Sequence, residues 1–224
     1  MDHRVLGHAL TMIDRPTPEK AMELDRILRD AQSEKDHERI ENMWRGSEYA
    51  AEALRSRYQP KPCDITGLAR MPEDTLGGAY GRHMTRHGLR QDFYPEVPPS
   101  DDTLYLRQRI YQTHDIMHTL LGYSTSVADE TGITGFYLGQ QDRYLPAEGG
   151  LAMIHSVIQE STVLLHHVLA DPEQARRHLH ELATGFARGR AAKPFLSFAL
   201  EEMWERPIAD VRADLGITPR TMEV

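Results

Sequence analysis

Three features of the chain predict an all-α fold. Segments of helical length are bounded by proline and glycine, and their apolar residues recur at i, i+3 and i+4. No segment of useful length alternates apolar and polar residues as a half-buried strand does. The pattern predicts a single domain over residues 1–224 with about eight to nine helices. It divides into an N-terminal helical pair within 1–60 and a core region over 72–217.

Thr17-Pro18-Glu19 opens a first predicted helix, because proline is tolerated in a first turn; it runs to about Gln32. A second covers about His37 to Tyr58, where Gln59-Pro60-Lys61-Pro62 ends it, and a linker follows to Pro72. A third spans about Asp74 to His87 and stops at Gly88. Tyr94-Pro95-Glu96-Val97-Pro98-Pro99 is non-helical. Ser100-Asp101-Asp102 caps a long helix that Gly122 ends after Leu121. The next begins near Thr125 or Ser126. Gly149-Gly150 precedes an apolar helix, Leu151 to Leu169, and Asp171-Pro172-Glu173 opens another that ends near Gly189. A helical stretch holding Phe198, Leu200 and Trp204 follows, and Pro207 opens a short last one.

The 224 residues are enough for a sizeable core. The net charge of −8, without a basic run, argues against nucleic acid as the main partner. One cysteine, Cys63, excludes a disulfide framework and any thiolate metal site, so a bound metal must use nitrogen and oxygen ligands. No apolar run approaches the ~18 residues of a membrane span. Met1-Asp2-His3-Arg4 carries no signal or transit pattern. The expected location is cytoplasmic, with peripheral contact at the inner face of the membrane left open. Long apolar helices in an acidic chain are compatible with a homodimer.

Along the helix from Leu104, successive residues turn by about 100°. Leu106, Ile110, Thr113, Met117, Leu120 and Leu121 form a core-facing stripe. His114, Asp115 and His118 fall in the neighbouring arc with Arg107 and Tyr111, at the edge of the core. Gln108, Gln112 and Arg109 fall beyond it and are expected in solvent. Histidines at i and i+4 are close enough to share one metal ion, although most such pairs are incidental. Asp115 reaches the same face. Folded back antiparallel after Gly122, the next helix returns Glu130 to the histidines. Two imidazoles and two carboxylates suit zinc, manganese or ferrous iron, and magnesium less well.

His114-Asp115-x-x-His118, followed after eleven residues by Glu130, resembles the hallmark of the ubiquinone (coenzyme Q) biosynthesis family that includes the fourth yeast coenzyme Q protein. Further segments resemble the same family: Met71-Pro72-Glu73-Asp74-Thr75-Leu76-Gly77 with Tyr80, Gly88-Leu89, Gln108-Arg109, and Gly189-Arg190-Ala191-Ala192-Lys193-Pro194. So do Glu201-Glu202-x-Trp204-Glu205-x-Pro207 and Arg212-x-x-Leu215-Gly216-Ile217. The resemblance covers roughly residues 45–217. It implies an all-α, bacterial-type member with a divalent metal at the hallmark residues and a part in building a prenylated quinone ring. In the family that part is described as scaffolding of the biosynthetic enzymes and as replacement of a ring carboxylate by hydroxyl. Leu200, Asp129 and Phe136-Tyr137 depart from the family pattern without touching the hallmark, and bear on substrate identity.

The resemblance sharpens several other readings. Leu151, Ile154, Val157, Ile158, Leu164, Leu165, Val168 and Leu169 are ordinary core, or they line an apolar, lipid-sized pocket for an isoprenoid tail beside the metal. Met43, Met84, Met117, Met153 and Met203 are core filler or an adaptable lining. Arg190 and Lys193 complement a helix C-terminus or capture a substrate anion, and Tyr111 faces the site. His155, His166 and His167 lack carboxylates at ligand spacing. Gly185-x-x-x-Gly189 is weak evidence of close helix packing. Asp115 is a fourth ligand or a general base. The expected partners are an isoprenoid or prenyl-quinone lipid and other quinone-biosynthesis enzymes. The rival readings are a non-catalytic lipid-binding scaffold and a metal-dependent hydrolase. Asp115 at the position of the zinc-protease Glu, and the lack of a second His-Asp pair, argue against the hydrolase.

Overall fold

The computed structural model describes residues 3–93, 101–145 and 150–220, apart from the side chains of 150–155. The helices are α1 (His3–Asp14), α2 (Pro18–Asp30), α3 (Glu34–Arg45), α4 (Glu48–Ser56), α5 (Ile65–Ala69), α6 (Leu76–His87), α7 (Asp102–Leu121), α8 (Val127–Tyr144), α9 (Gly150–Ala170), α10 (Pro172–Ala191) and α11 (Ile208–Leu215). Among the described residues there is no strand, only an isolated bridge between Thr75 and Pro207. The all-α class is therefore observed.

The helix starts follow capping chemistry. Thr17, Ser33, Ser47, Thr75, Asp101, Ser126 and Asp171 each accept a backbone N–H of the first turn that follows. Gly88, Gly122 and Gly216 end α6, α7 and α11 in the left-handed conformation, with φ of 62°, 78° and 67°.

Several boundaries differ from expectation for local reasons. α1 was not anticipated: it buries only Val5 and Met12 and leaves Leu6 and Leu10 exposed, so its apolar stripe is faint. The long helix expected over His37–Tyr58 is two, because Gly46 closes α3 and the Ser47 hydroxyl starts α4. The supposed linker contains α5. The helix expected around Phe198–Trp204 is replaced by two 3-10 turns, Phe195–Ser197 and Leu200–Glu202. Just beyond them the Trp204 and Arg206 carbonyls accept from Gly77 N and Leu76 N at 2.9 Å each, so the chain caps α6 instead of coiling. The Tyr94–Pro99 expectation lies outside the described residues.

Two apolar clusters organise the packing. The larger draws Trp44, Tyr49, Tyr80, Met117, Phe136, Phe195 and Leu215 from α3 through the C-terminal segment. The smaller joins α1, α2 and α9 through Val5, Met12, Leu24, Ile27, Leu28 and Val163. α8 and α10 cross closely: a Cβ at Gly185 would overlap the Gly132 carbonyl oxygen, and one at Gly189 the Phe136 carbonyl oxygen. The glycine pair is thus a contact surface between backbones.

α7 is buried on several sides, so a single stripe does not describe it. Tyr105 and Ile116 are buried, and Ile110 only partly. Arg109, expected in solvent, is 3% exposed. Its guanidinium donates to Glu201 Oε1 at 2.7 Å and Oε2 at 2.9 Å, and to Gln112 Oε1 at 2.8 Å. A forked, hydrogen-bonded pair is what makes a buried charge tolerable.

Two stability predictions follow from these contacts. Glu201→Ala strands the buried Arg109 charge, so urea unfolding should show a loss of about 3–5 kcal/mol. A loss below about 1 kcal/mol would mean that the pair contributes little. Gly185→Val forces α8 and α10 apart. Its midpoint should fall by an amount corresponding to about 3 kcal/mol or more, against less than about 1 kcal/mol for a substitution at exposed Arg176.

Candidate metal centre

The turn between α7 and α8 sets the site. Gly122 releases the chain from α7, whose last carbonyls are not left open. Arg212 donates to Leu120 O at 2.8 Å and Thr119 O at 3.0 Å, and Arg220 N donates to Leu121 O at 2.8 Å. At the start of α8, buried Asp129 accepts from Ser124 N at 2.9 Å, from the Ser124 hydroxyl and from Arg220. Burial pushes its carboxyl up, but these donors hold it below its ordinary value. The residue after this anchor is Glu130.

Glu130 returns to the α7 histidines as the spacing predicts. Its Oε2 lies 3.2 Å from His114 Nε2 and its Oε1 3.2 Å from His118 Nε2, and the two Nε2 atoms are 3.1 Å apart. Asp115 offers a carboxylate oxygen to the same group, within 4.8 Å of the histidine nitrogens. Ligands bonded at about 2.0–2.2 Å around a tetrahedral ion are themselves about 3.3–3.6 Å apart, slightly more than the separations here. The donor types and their separations therefore fit one divalent ion held by His114, His118 and Glu130, with Asp115 alongside.

The protonation pattern follows from this convergence. Burial pushes Glu130 up, but hydrogen bonds and charge from His114 and His118 hold it well below the usual carboxylate range. Burial pushes His114 down, and the Glu130 hydrogen bond, the Glu130 charge and Asp115 together raise it. Asp115 is raised, mainly by burial, with Glu130 adding repulsion. His114 Nδ1 lies 3.5 Å from the Tyr137 hydroxyl, which orients the ring from behind. His118, 1% exposed, stacks on His83 with ring centroids 5.5 Å apart.

His114, Asp115 and Glu130 form part of the wall of a cavity of about 760 Å³. It lies between the two apolar clusters. α1 and α2 contribute Met12, Ala21 and Met22; α3 and α7 contribute Ile40, Trp44, Leu106 and Ile110. Tyr111 also lines it and donates to Asp25 Oδ2 at 3.2 Å, where Arg107 also binds. The α9 wall is more polar than expected. Ser156, Gln159, Glu160 and Val163 face the cavity, while Val157, Leu165, Val168 and Leu169 are exposed. The side chains of Leu151, Met153, Ile154 and His155 lie outside the described residues.

Arg190 and Lys193 are not brought to the site. Arg190 pairs with Asp142, and exposed Lys193 bonds through its backbone N to Leu215 O at 2.8 Å. His166 Nδ1 is satisfied by Ile13 O at 2.7 Å. Two groups at or near the site escaped the sequence reading, His83 and a buried Glu160–His178 pair, and Tyr137 entered it only as a departure from the family pattern. His83 and His87 are themselves an i,i+4 pair on α6, a signal of the kind already used for α7. Glu160 and His178 lie on different helices, and no spacing rule joins them.

Burial pushes the Glu160 carboxyl up to about 7, with the Glu130 charge adding to it, against hydrogen bonding with Thr134 and Thr131. The folded chain thus keeps a proton that the unfolded chain releases above the ordinary value of 4.5. Its contribution to stability is lost as pH rises from about 4.5 to about 7. Glu160→Gln cannot titrate. Urea series should show the variant gaining on the parent through that window, by on the order of 3 kcal/mol, and level above it. Parallel stability profiles would contradict a neutral Glu160.

The family model described as "Coenzyme Q (ubiquinone) biosynthesis protein Coq4" matches residues 37–221. The mitochondrial ubiquinone biosynthesis protein COQ4 homolog of Drosophila ananassae is 28% identical over 170 residues, 74% of this chain and 59% of that protein. A Culex quinquefasciatus homolog, also named mitochondrial, is 26% identical over 167 residues, 74% of this chain and 56% of that protein. The chain thus spans under two thirds of these relatives. A crystal structure from Nostoc punctiforme, described as a candidate ubiquinone biosynthesis protein, superposes with a TM-score of 0.76 at 23% identity. It covers 95% of this chain and 96% of its own, and shows the fold. With the hallmark residues converging and the family model spanning α3 to the C-terminal segment, the chain belongs to the Coq4 family of coenzyme Q (ubiquinone) biosynthesis proteins.

Proposed function

We propose that this chain is a metal-binding component of ubiquinone or a related prenyl-quinone biosynthesis, holding an isoprenoid intermediate with its ring head group at the metal centre. The observation that carries the reading is the meeting of His114, His118 and Glu130 at 3.1–3.2 Å in the wall of the large cavity. Zinc is the first choice for the ion, with manganese, ferrous iron and magnesium as alternatives. Such an ion supplies Lewis acidity to the oxygens of the ring.

The chain's own residues do the rest. Tyr137 orients His114, and Asp115 completes the ligand set or takes a proton from the ring's hydroxyl. Methionines, Trp44 and the α7 aliphatic residues exclude water around the tail. The associated chemistry is replacement of a ring carboxylate by hydroxyl, with carbon dioxide leaving and an external oxidant supplying the oxygen.

A second reading, a lipid-binding scaffold for other quinone-biosynthesis enzymes, draws on exposed apolar side chains. Leu6 and Leu10 on α1 and Val157, Leu165, Val168 and Leu169 on α9 are 42–71% exposed. They suit a membrane face, another enzyme or a second copy of the chain. No helix among the described residues is long and apolar enough to cross a membrane.

Metal analysis combined with lipid extraction tests the proposal. The purified protein should carry about one divalent ion per chain, lost in His118→Ala without loss of helicity. Mass spectrometry of the extract should show an isoprenoid. No ion in the parent protein would sink the metal centre. An isoprenoid retained with quinone production intact in His118→Ala would favour the scaffold.

A further inference from the structure

A second polar group faces the same cavity, away from the hallmark residues. Glu160, from α9, is 6% exposed and lines the cavity wall. Behind it, His178 of α10 is 1% exposed. Glu160 Oε2 and His178 Nε2 face each other at 3.3 Å, and neither atom has a hydrogen-bond partner. Leaving such atoms unsatisfied in a core is costly, so they mark a place where a ligand group belongs.

The surroundings fix which protons are present. The Thr131 hydroxyl donates to Val127 O at 3.0 Å, so His178 Nδ1, 3.2 Å from the Thr131 oxygen, is the donor in that contact. This leaves Nε2 as a lone-pair acceptor facing Glu160. A carboxyl group that keeps its proton can donate to that nitrogen or into the cavity. The other rings near His178 belong to His167, 5.7 Å away between centroids, and then His166; among the described residues no cation pairs with Glu160, and the Glu130 charge bears on it from α8. Two neutral groups facing each other avoid a buried charge, and the carboxyl proton stays available to a ligand in the cavity.

We propose that Glu160, backed by His178, is a second polar hold in the cavity, taking a hydroxyl or carbonyl oxygen of the ring whose other oxygen groups meet the metal ligands. This rests on the reading that the cavity holds an oxygen-substituted ring. The placement suits it. Thr131 and Thr134, which hydrogen-bond Glu160, follow Glu130 on α8, and one helical turn from Glu130 to Thr134 advances about 6 Å. That is the scale of a six-membered ring with substituents on opposite carbons. Glu160 thus selects for ring oxygenation at the end remote from the metal. A neutral donor discriminates against a ring lacking the oxygen because its own group is then left unpaired.

The test compares two probes with the same tail, geranylhydroquinone and geranylbenzene, by anaerobic equilibrium dialysis against the zinc-loaded full chain. Glu160→Leu should weaken geranylhydroquinone about 10-fold and leave geranylbenzene unchanged, the value of one buried hydrogen bond. Glu160→Gln retains a donor and should stay within about 3-fold of the parent for both. Thermal unfolding of each variant confirms its fold, and the ratio between probes does not respond to a general loosening. Equal weakening of both probes by Glu160→Leu, or of neither, overturns the subsite. If the parent protein itself fails to prefer geranylhydroquinone, the ring-binding reading of the cavity falls, and the subsite with it.

Discussion

The Asp129 carboxylate joins three parts of the chain. It takes the Ser124 donors in the turn after α7, begins α8, and binds Arg220 near the C-terminus, whose other guanidinium nitrogen lies 2.8 Å from Glu181 on α10. Glu130 is the next residue, so its approach to His114 and His118 is inherited from this anchor. The histidines need only a straight helix to share a face. The carboxylate must come back from another helix, and a buried, multiply hydrogen-bonded neighbour removes the slack in that return. Asp129, one of the departures from the family pattern, thus rigidifies the approach of Glu130 to the two histidines.

Near the centre, charge is handled in two ways. Glu130 and the hallmark histidines form a cluster of opposite charge held at short range. Glu160 and His178, a few residues along on the neighbouring helices, are both pushed toward their neutral forms, His178 to about 4. The difference has a physical origin. Glu130 faces imidazoles that gain from its charge, whereas Glu160 faces hydroxyls and a ring that burial keeps unprotonated. One cavity therefore carries an ionic wall and a neutral hydrogen-bonding wall.

Much of this was legible in the residues. Prolines, glycines and capping hydroxyls marked most helix ends, and eleven intervening residues carried Glu130 back to the histidines. What failed shares a cause. α1 has two buried residues and hence little periodicity. Gly46-Ser47 interrupts a helix whose propensity on both sides is good. Arg109 looked solvated because its partner Glu201 is 92 residues away, and the Glu160–His178 pair is equally invisible to local spacing. The glycines at 185 and 189 were noted but undervalued, because close backbone contact needs a partner helix that sequence periodicity does not name. Arg190 and Lys193 were drawn toward function by their charge and instead stay at the surface.

The family match begins at residue 37, whereas Met12, Ala21, Met22, Asp25 and Arg29 of α1 and α2 line the cavity. The cavity therefore has a floor drawn from the shared family region and a roof drawn from outside it. Floor and roof are free to diverge at different rates. In the proposed function the ring lies against α7 and α8, and the room for its tail is set by a hairpin that the family match does not reach. On that proposal, two members with identical hallmark residues would differ in the length of tail they accept through residues before the first matched one.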